Sequence, residues 1–375
     1  MEDAKAWLTL ARAPSLHAGQ LRELLAQGHS PLELLGRPSG PCAALDLGAG
    51  TRRALRHPDH DAIEADLRWL ARGGARRLVT WGEAAYPPLL AQIPDPPLVL
   101  FVEGAVEALA RPQLAIVGSR NPTALGRETA TSFAADLARA GLVITSGLAL
   151  GIDAAAHRGA LQTGAATVAV VGRGLDAVYP REHAGLAAQI LARGGVLTTD
   201  IPVGIGPLKQ NFPRRNRILS GLTVGTLVVE AALQSGSLVT ARLAAEQGRE
   251  VFAIPGSIHN AVARGCHRLL RQGARLVETV EDIFDEIGAI IGDVALFTAP
   301  KCPDRTVPTR PSLDKDYEIL LDAVGFEPAG LDQIVGRTGL ETGAVASMLL
   351  ILELDGRIQQ QPGGRYIRRA AGKVQ

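Results

Sequence analysis

A cluster of cations lies in the segment 200–220. Its four members fall within nine positions: Lys209, Arg214, Arg215 and Arg217. No Asp or Glu occurs from 201 to 229, and because the whole chain carries 39 Lys and Arg against 38 Asp and Glu, this excess is local. Cations without counter-charges repel one another, and a bound anion relieves the repulsion. Phe212 adds a flat ring on which a base could stack. The segment therefore predicts a site for a phosphate-bearing ligand.

Three further segments place small or basic residues where they can hold an anion. They are Gly118-Ser119-Arg120, Ser146-Gly147 and Ser235-Gly236-Ser237. Glycine lets the backbone approach an anion, a serine hydroxyl donates to a phosphate oxygen, and an arginine fork binds two oxygens. Because each segment lies beside an apolar run typical of a buried strand, we expect all three to line one edge of a sheet.

Two sets of titratable residues have both a catalytic and a structural interpretation. Asp153 and His157 are four positions apart and could share a helix face that binds a metal, but no third ligand is near them. The favoured interpretation is that Asp153 caps a helix and His157 packs or hydrogen-bonds in the interior. Glu230 could act as a general acid or base, but no second such group stands beside it. We expect Glu230 to hold the guanidinium of Arg217 or Arg242.

Several catalytic signatures are absent from the sequence. The first strand-to-helix loop lacks the dinucleotide fingerprint G-x-G-x-x-G, and the chain lacks the phosphate-loop sequence G-x-x-x-x-G-K-[ST]. There is no Ser-His-Asp order and no cluster with metal-ligand spacing. We therefore expect no nicotinamide or other cofactor, no metal and no catalysis. The predicted site holds an extended polyanion without breaking a bond.

Length and composition restrict the class of protein. A chain of 375 residues is long enough for two or three domains, and 46% hydrophobic residues predict a well-buried core. Cys42, Cys266 and Cys302 form no C-x-x-C motif, which argues against a disulfide framework and a zinc site. Charged residues precede the first apolar run, and no run approaches 18 apolar residues. We expect a cytoplasmic protein with neither a secretory signal nor a membrane span.

Apolar runs alternate with amphipathic segments from residue 77 onward. The predicted strands are 78–81, 98–102, 114–117, 142–145, 167–171, 196–198, 226–229 and 251–254. The predicted helices are 127–140, 153–161, 183–192, 238–247 and 267–271. This alternation is typical of a parallel sheet covered on both faces. It predicts an α/β domain over 76–298 with a Rossmann-like, doubly wound, mainly parallel sheet, which binds ligands at the carboxyl ends of its strands.

The two ends of the chain have other patterns. Residues 1–75 predict a small helical, SAM-like domain, which is either a packing and oligomerisation module or a weak nucleic-acid contact. The proline-rich segment 299–312 predicts a linker. In 313–375, three helices precede a hairpin: 316–324, 331–338, 341–354, and the pair 356–359 and 365–368. This order predicts a winged helix.

Six motifs in series carry a resemblance to a known family. They are Gly118-Ser119-Arg120, 146–153, 172–176 with Tyr179-Pro180, 212–218, 235–241 and 248–256. From about residue 78 to 287 the chain resembles the DNA-processing protein A family, DprA, also called Smf. The helical N-terminus and the winged-helix tail are also similar to those of many members, although both are less diagnostic.

The resemblance implies a non-enzymatic function. Family members bind single-stranded DNA that enters the cell during natural transformation, shield it from nucleases, help load the RecA recombinase and act as homodimers. The resemblance makes Arg120 and Lys209 the expected phosphate contacts, with Ser119, Phe212 and Arg217 near the strand. The full predicted DNA-binding set is Gly118, Ser119, Arg120, Ser146, Gly147, Arg173, Lys209, Phe212, Arg214, Asn216, Arg217, Ser235, Gly236 and Ser237.

Some residues depart from the family pattern. Arg173 stands where Ser or Thr is common and is expected to add a cation, His183 replaces a frequent Asn, and Asp200 replaces a frequent Glu. The predicted dimer surface is the helix around 266–272. Its expected contact residues are Cys266, His267, Leu269, Leu270 and Gln272.

Two alternative functions belong to other classes. Phosphoribohydrolases that cleave nucleoside monophosphates resemble this Rossmann variant but carry a P-G-G-x-G-T-x-x-E loop, whereas the stretch 222–230 lacks the paired glycines. A transcriptional regulator would use the winged helix to read duplex DNA. Its third helix, 341–354, contains no Lys or Arg, although readout helices usually present polar or basic side chains.

Overall fold

The computed structural model describes residues 2–16, 18–35, 47–291 and 315–369. The chain divides into two compact units, Met1–Phe297 and Thr298–Gln375. The predicted linker 299–312, together with Cys42 and Cys302, lies outside the described residues. The predicted domain boundary near residue 75 falls inside the first unit and stays a prediction.

Five helices precede the sheet and share a hydrophobic core with it. They are α1 (Glu2–Arg12), α2 (Ala18–Ala26), α3 (Pro31–Leu35), α4 (Ala49–Arg56) and α5 (His60–Ala71). The Asp59 carboxylate accepts a hydrogen bond from the Ala62 amide and so caps α5. Trp69 of α5 is buried, and its ring meets that of Phe101 edge-on with centroids 5.8 Å apart. This packing attaches the helical segment to the sheet.

The first unit is built on one nine-stranded sheet. Its strands are β1 (Arg76–Thr80), β2 (Val99–Gly104), β3 (Gln113–Val117), β4 (Val143–Ser146), β5 (Thr167–Val170), β6 (Val196–Thr199), β7 (Gly225–Val228), β8 (Glu250–Ala253) and β9 (Arg275–Leu276). They lie in the order β1-β2-β6-β5-β4-β3-β7-β8-β9. β1 and β2 are antiparallel to their neighbours, and all other pairs are parallel. The predicted mainly parallel, doubly wound sheet is confirmed.

Helices cover both faces of this sheet. They are α6 (Pro88–Ala91), α7 (Ala124–Arg139), α8 (Ile152–Gln162), α9 (Ala184–Ala192), α10 (Asn211–Gly221), α11 (Ser237–Glu246), α12 (Arg264–Arg271) and α13 (Val280–Ile291). Along β3, Ala115 and Val117 belong to the core on one face, while Leu114 and Ile116 belong to the core on the other. Burial on both faces explains why this strand is an unbroken apolar run.

The chain changes its winding direction at β3. From β3 it continues through β4, β5 and β6 on one side, then crosses to β7, β8 and β9 on the other. The loops that follow β3 and β7 therefore diverge, and a crevice for ligands opens at their carboxyl ends. Gly118-Ser119-Arg120 follows β3 directly, as the sequence predicted.

Four labelled elements after residue 75 of the first unit were not predicted: α6, α10, β9 and α13. The most important is α10, which contains the basic segment that begins at Asn211. Proline usually breaks a helix, but Pro213 lies in the first turn, where its missing amide is not needed. α10 therefore begins beside the carboxyl ends of the strands and places Phe212 there.

The second unit is a winged helix, as predicted. Its elements are α14 (Lys315–Val324), α15 (Leu331–Thr338), α16 (Thr342–Leu354) and three short strands, β10 (Ala329–Gly330), β11 (Ile358–Gln361) and β12 (Arg365–Arg368). Buried Leu320, Ile334 and Leu349 hold the helices together. No single helix in the described part of the chain is long and apolar enough to cross a membrane. α15 and α16 reach that length and composition only together, across a bend of 110°.

Candidate nucleic-acid interface

The ring of Phe212 contacts residues of two strand-end loops. Phe212 is the second residue of α10, and the Arg120 guanidinium lies over its ring, 5.4 Å from the centroid. The ring of Tyr179 is 6.3 Å away. A Cβ atom at Gly172 would lie 3.1 Å from a ring carbon of Phe212, so the ring rests on the Gly172 backbone. The loops after β3 and β5 thus meet at the start of α10.

Two cations at this edge remain available to a ligand. Arg120 and Lys209 are exposed, and neither forms an ion pair within the described residues. Lys209 precedes Phe212 by three residues, so their Cα atoms lie within about 11 Å of each other. We call Ser119, Arg120, Tyr179, Lys209 and Phe212 the cationic rim.

The loop that carries Arg120 is fixed from two sides. The Ser119 amide donates to the Glu230 carbonyl at 2.6 Å, and the Ser119 carbonyl accepts from the Ile152 amide at 3.1 Å. A Cβ atom at Gly118 would lie 2.7 Å from Cγ1 of Ile152, so only glycine fits there. The Ser119 amide is therefore occupied, and its half-exposed side chain is what remains for a phosphate.

Asp200 forms ion pairs with two of the four cations in the basic segment. Its Oδ2 atom is 2.7 Å from Nε of Arg214 and 2.6 Å from Nη2 of Arg217. Arg217 also donates to the backbone carbonyl of Asp95. The expectation of four cations without counter-charges is therefore wrong, because the carboxylate lies one residue before the acid-free stretch. The Arg214 side chain stays 48% exposed beside the rim, whereas that of Arg217 is only 15% exposed.

Arg173 also has a carboxylate partner. Its Nη2 atom is 3.2 Å from Oδ2 of Asp176, and the other oxygen of Asp176 accepts from the Gly204 amide at 3.1 Å. The expected extra cation at the rim is therefore neutralised. Arg173 and Asp176 instead join the loop after β5 to the glycine-rich stretch before α10.

Arg215 is buried and ties α10 to the sheet. Its Nη1 atom donates to the carbonyls of Gly147 at 2.6 Å and Val170 at 2.7 Å. On the other side of Gly147, the Asp153 carboxylate accepts from the amides of Gly147 at 3.1 Å and Ala149 at 3.3 Å. Any Cβ atom at Gly147 would overlap both the guanidinium and this carboxylate. The ends of β4 and β5 and the helix α10 are thus joined through one glycine.

The buried pair Asp153 and Arg215 lies beside several residues that were expected to face the ligand. Burial raises the pKa of Asp153 and lowers that of Arg215, while the charge of each opposes the shift of the other. Ser146 donates to a carbonyl of β3 at 2.7 Å, and Asn216 accepts from Nε of Arg215 at 3.1 Å. The expectation that Ser146 and Gly147 line the anion site is corrected, because their polar groups are satisfied inside the protein.

Glu230 is held at the amino end of α7. Its two carboxylate oxygens accept from the Thr123 hydroxyl at 2.6 Å and the Thr123 amide at 2.8 Å. The same hydroxyl accepts from the Gly126 amide at 2.9 Å and caps the helix. A carboxylate is favourable at this positive end of a helix. The structural interpretation holds, but the partner is Thr123 rather than Arg217 or Arg242.

His157 and Asp153 have interior roles. His157 is fully buried, and its Nδ1 atom is 2.8 Å from the Thr167 hydroxyl. Burial lowers the pKa of His157 to about 3, so its ring is neutral. The predicted interior hydrogen bond of His157 is confirmed. The N-cap of α8 is Gly151, so the prediction that Asp153 caps a helix is wrong. Asp153 instead accepts hydrogen bonds from the amides of Gly147 and Ala149 in the preceding loop.

The loop before α11 is partly accessible. The hydroxyl oxygens of Ser235 and Ser237 are 2.6 Å apart, and Gly236 is the N-cap of α11. Gly236 is exposed and Ser235 half-exposed, whereas Ser237 is buried. Ser235 and Gly236 can therefore meet a ligand directly, and Ser237 supports the turn from inside.

The predicted dimer surface needs correction. Cys266 and Leu269 of α12 are buried in the core of their own chain, and burial raises the pKa of the Cys266 thiol to about 12. Side chains already covered in one chain do not form an outer surface. The other predicted contacts are partly exposed: His267, Leu270 and Gln272.

Sequence reasoning assigned no role to Tyr179. Its side chain is 45% exposed beside Phe212 at the rim. Tyr179 lies nine residues after the end of β5, and an exposed aromatic side chain on such a loop can stack a base. Arg215 was counted among the four cations of the basic segment but was left out of the predicted DNA-binding set, and its role as a buried anchor was not predicted.

Fold and site together define the class of this protein. It is a doubly wound α/β protein whose switch point presents unpaired cations and aromatic rings, followed by a winged helix. Such an edge suits a ligand that carries both phosphates and bases.

Comparison with models of protein families shows to which family this α/β protein belongs. The model of "DNA recombination-mediator protein A" matches residues 77–288, and that of "DprA winged helix domain" matches residues 304–364. The chain belongs to the DprA/Smf family, which confirms the resemblance in the sequence and assigns the protein to DNA processing.

Individual relatives agree with this assignment. Protein Smf of Escherichia coli is 41% identical over 98% of this chain and 96% of its own length. The structure of DprA from Streptococcus pneumoniae matches 75% of this chain and 95% of its own, with 34% identity and a TM-score of 0.65. That of DprA from Helicobacter pylori, described with a single-stranded DNA binding mode, matches 57% of this chain and 97% of its own, with 28% identity and a TM-score of 0.51.

Proposed function

We propose that this protein binds single-stranded DNA at the cationic rim and shields it without catalysing a reaction. The observation that carries the proposal is the arrangement around Phe212, where Arg120 lies over the ring and the nearby Lys209 is exposed and forms no ion pair with any described residue. Cations bind phosphates, and aromatic rings stack on unpaired bases. In a duplex the bases are paired and stacked on one another, so their faces are not exposed to such rings. Contacts to phosphates carry no base information, so we expect binding to any sequence.

The wider biological role follows from family membership. We propose that the protein acts in the cytoplasm on DNA taken up during transformation, and that it helps load the RecA recombinase onto the bound strand. The single-stranded DNA binding mode described for the Helicobacter pylori relative supports the binding of a single strand, which both steps require. Faster assembly of RecA on single-stranded DNA in the presence of this protein would support the second part.

The contacts of Glu230 argue against the phosphoribohydrolase alternative. A general base needs a free oxygen within reach of its substrate. Both carboxylate oxygens of Glu230 hold donors of Thr123, and the residue is only 8% exposed. Together with the missing paired glycines, this supports a non-enzymatic function.

The surface of α16 argues against a transcriptional regulator. In a winged helix the third helix enters the major groove and presents polar or basic side chains. On α16 the exposed side chains include Leu350, Ile351 and Leu354. Such a face suits contact with protein better than readout of base pairs.

A change of Phe212 tests the proposed function. Phe212→Ala removes the ring, and we expect single-strand affinity to fall about 5- to 150-fold, equivalent to about 1–3 kcal/mol. Phe212→Trp keeps a stacking surface and should retain most of the affinity. Fluorescence anisotropy with a labelled oligonucleotide measures both. Unchanged affinity of the alanine variant would show that Phe212 only fills space.

We also propose that the protein forms a homodimer through the free edge of β9. This strand ends the sheet, and Leu276 on it is 51% exposed, which favours pairing with another chain. Leu276→Glu should convert the dimer to a monomer in sedimentation equilibrium, because the carboxylate would be buried without a partner. Leu354→Glu, at an exposed position of the winged helix, is the matched control. A wild-type protein that sediments as a monomer at micromolar concentration contradicts the proposal.

A further inference from the structure

Glu230 places a negative charge at the edge of the sheet where the cationic rim lies. The residue follows β7 and is 8% exposed, and its carbonyl accepts a hydrogen bond from the Ser119 amide at 2.6 Å. A carboxylate beside a site for phosphates lowers the local attraction for them. The charge is therefore unfavourable for DNA binding unless it organises the site in another way.

Glu230 contacts both ends of the loop that carries Arg120. We call residues 118–123 the Arg120 loop. At its first end, the Glu230 carbonyl holds the Ser119 amide. At its other end, the two carboxylate oxygens accept from the hydroxyl and the amide of Thr123, at 2.6 and 2.8 Å. Only three residues lie between Ser119 and Thr123, so their backbone has few conformations available while both ends are held.

The start of α8 encloses the Arg120 loop on another side. Gly151 has a φ of 80°, and a Cβ atom there would lie 2.6 Å from the Arg120 carbonyl oxygen. The Ile152 amide donates to the Ser119 carbonyl at 3.1 Å. The backbone of Arg120 therefore packs against Gly151, while its side chain is exposed and extends over the Phe212 ring. A shift of either end of the loop moves this side chain.

The carboxylate also fixes where α7 begins. Thr123 is the N-cap of α7, and its hydroxyl accepts from the Gly126 amide at 2.9 Å while it donates to Glu230. A Cβ atom at Gly126 would overlap the carboxyl group of Glu230, so this close approach requires glycine. The loop and the helix thus share one anchor, and removal of the carboxylate frees the Thr123 end of the loop.

We propose that Glu230 is a positioning residue for DNA binding, because its carboxylate holds the Arg120 loop in the conformation that directs Arg120 to a phosphate. This inference rests on the proposed function. Glu230 does not contact the strand and acts only through Arg120. The proposal has an unusual consequence for the sign of the effect. Removal of a negative charge beside a phosphate site strengthens binding by general electrostatics, whereas loss of the anchor weakens it.

The test combines Glu230→Gln with Arg120→Ala in the full-length protein. Glutamine keeps the shape of the side chain, but its amide has one acceptor oxygen and cannot accept from both Thr123 donors. Glu230→Gln alone should lower single-strand affinity about 3- to 30-fold. In a chain that already carries Arg120→Ala, it should change the affinity by less than about twofold. Anisotropy titrations with an oligothymidylate at low salt measure all four proteins.

A second pair of variants tests the other side of the same contact. Thr123→Val removes the hydroxyl and should reproduce the loss seen with Glu230→Gln. Thr123→Ser restores the hydroxyl and should recover most of the affinity. Asp59→Ala is the matched control, because it removes one negative charge and the cap of α5 outside the rim. Its affinity should stay within about twofold of wild type.

The outcomes separate this inference from the proposed function. Unchanged or tighter binding by Glu230→Gln, or an equal loss with and without Arg120, would overturn the positioning role while the proposed function stands. An equal loss in Asp59→Ala would overturn it too, because general destabilisation would then explain the effect. If Glu230→Gln does not fold, the Thr123 variants decide, and wild-type affinity of Thr123→Val overturns the inference. Failure of the wild-type protein to bind the strand would remove the proposed function itself.

Discussion

The variant Arg120→Glu with Lys209→Glu should bind single-stranded DNA about 100- to 10,000-fold more weakly than the wild-type protein. Each reversal removes a charged contact worth about 1.5–3 kcal/mol, so the pair removes about 3–6 kcal/mol. The loss should be the same for all sequences, because phosphates carry no base information. The salt slope should become shallower by about 1.4. Anisotropy titrations with oligonucleotides of different sequence measure both effects.

This loss should come without a change in folding. Arg120 and Lys209 are exposed and form no ion pair in the described residues, and the contact of Arg120 with the Phe212 ring contributes about 0.5–1 kcal/mol. The unfolding free energy should therefore fall by no more than about 1 kcal/mol. Arg139→Glu with Arg193→Glu again controls for net charge. If that control weakens binding as much as the rim variant does, general repulsion rather than contact at the rim would explain the loss.

Arg215→Met should have the largest effect on stability, about 3–5 kcal/mol. Removal of the guanidinium leaves Asp153 buried without its compensating charge and breaks the bonds to Gly147 and Val170. Urea denaturation with the wild-type protein in parallel measures the difference. The second substitution Asp153→Asn in the same chain should restore part of the loss, because no buried charge then remains.

The stability deficit of Arg215→Met should depend on pH. Arg215 lowers the pKa of Asp153 while burial raises it, so removal of Arg215 lets the pKa rise further. A carboxyl group with a raised pKa binds its proton more tightly in the folded state, and this favours folding at low pH and is lost as the pH rises. The deficit should therefore shrink between pH 7 and pH 5. A loss below 1 kcal/mol at pH 7, or no change with pH, would show that the two charges are not coupled.

The sheet was predictable from the sequence because its strands are buried on both faces. The run Leu114 to Val117 contains only apolar residues, which is typical of a strand buried on both faces. The glycine that follows it marks the start of the switch-point loop. The strand-end pattern predicted Arg120, and the basic segment predicted Lys209. Both are exposed, and neither forms an ion pair among the residues that the structure describes.

The basic segment was harder to interpret because residues distant along the chain determine whether each arginine is paired, buried or exposed. Arg214, Arg215 and Arg217 look alike in sequence, yet the first stays half-exposed and the second is buried against two carbonyl groups. Asp200, which pairs with Arg214 and Arg217, lies one residue before the stretch 201–229 that contains no acid. The sequence pattern did not predict α10, because Pro213 usually indicates the end of a helix and here lies in the first turn of one. Pairing across the fold, rather than composition, separates the cations with structural partners from those that we propose bind DNA.

We expect the cationic rim to recognise unpaired DNA through phosphates and exposed bases together. A competition titration of the wild-type protein with a single strand and with the duplex of the same sequence, at two salt concentrations, tests this recognition. The single strand should bind more tightly at both, and its affinity should fall as salt rises. Equal or tighter binding of the duplex, or binding of the single strand that does not respond to salt, would contradict the claim.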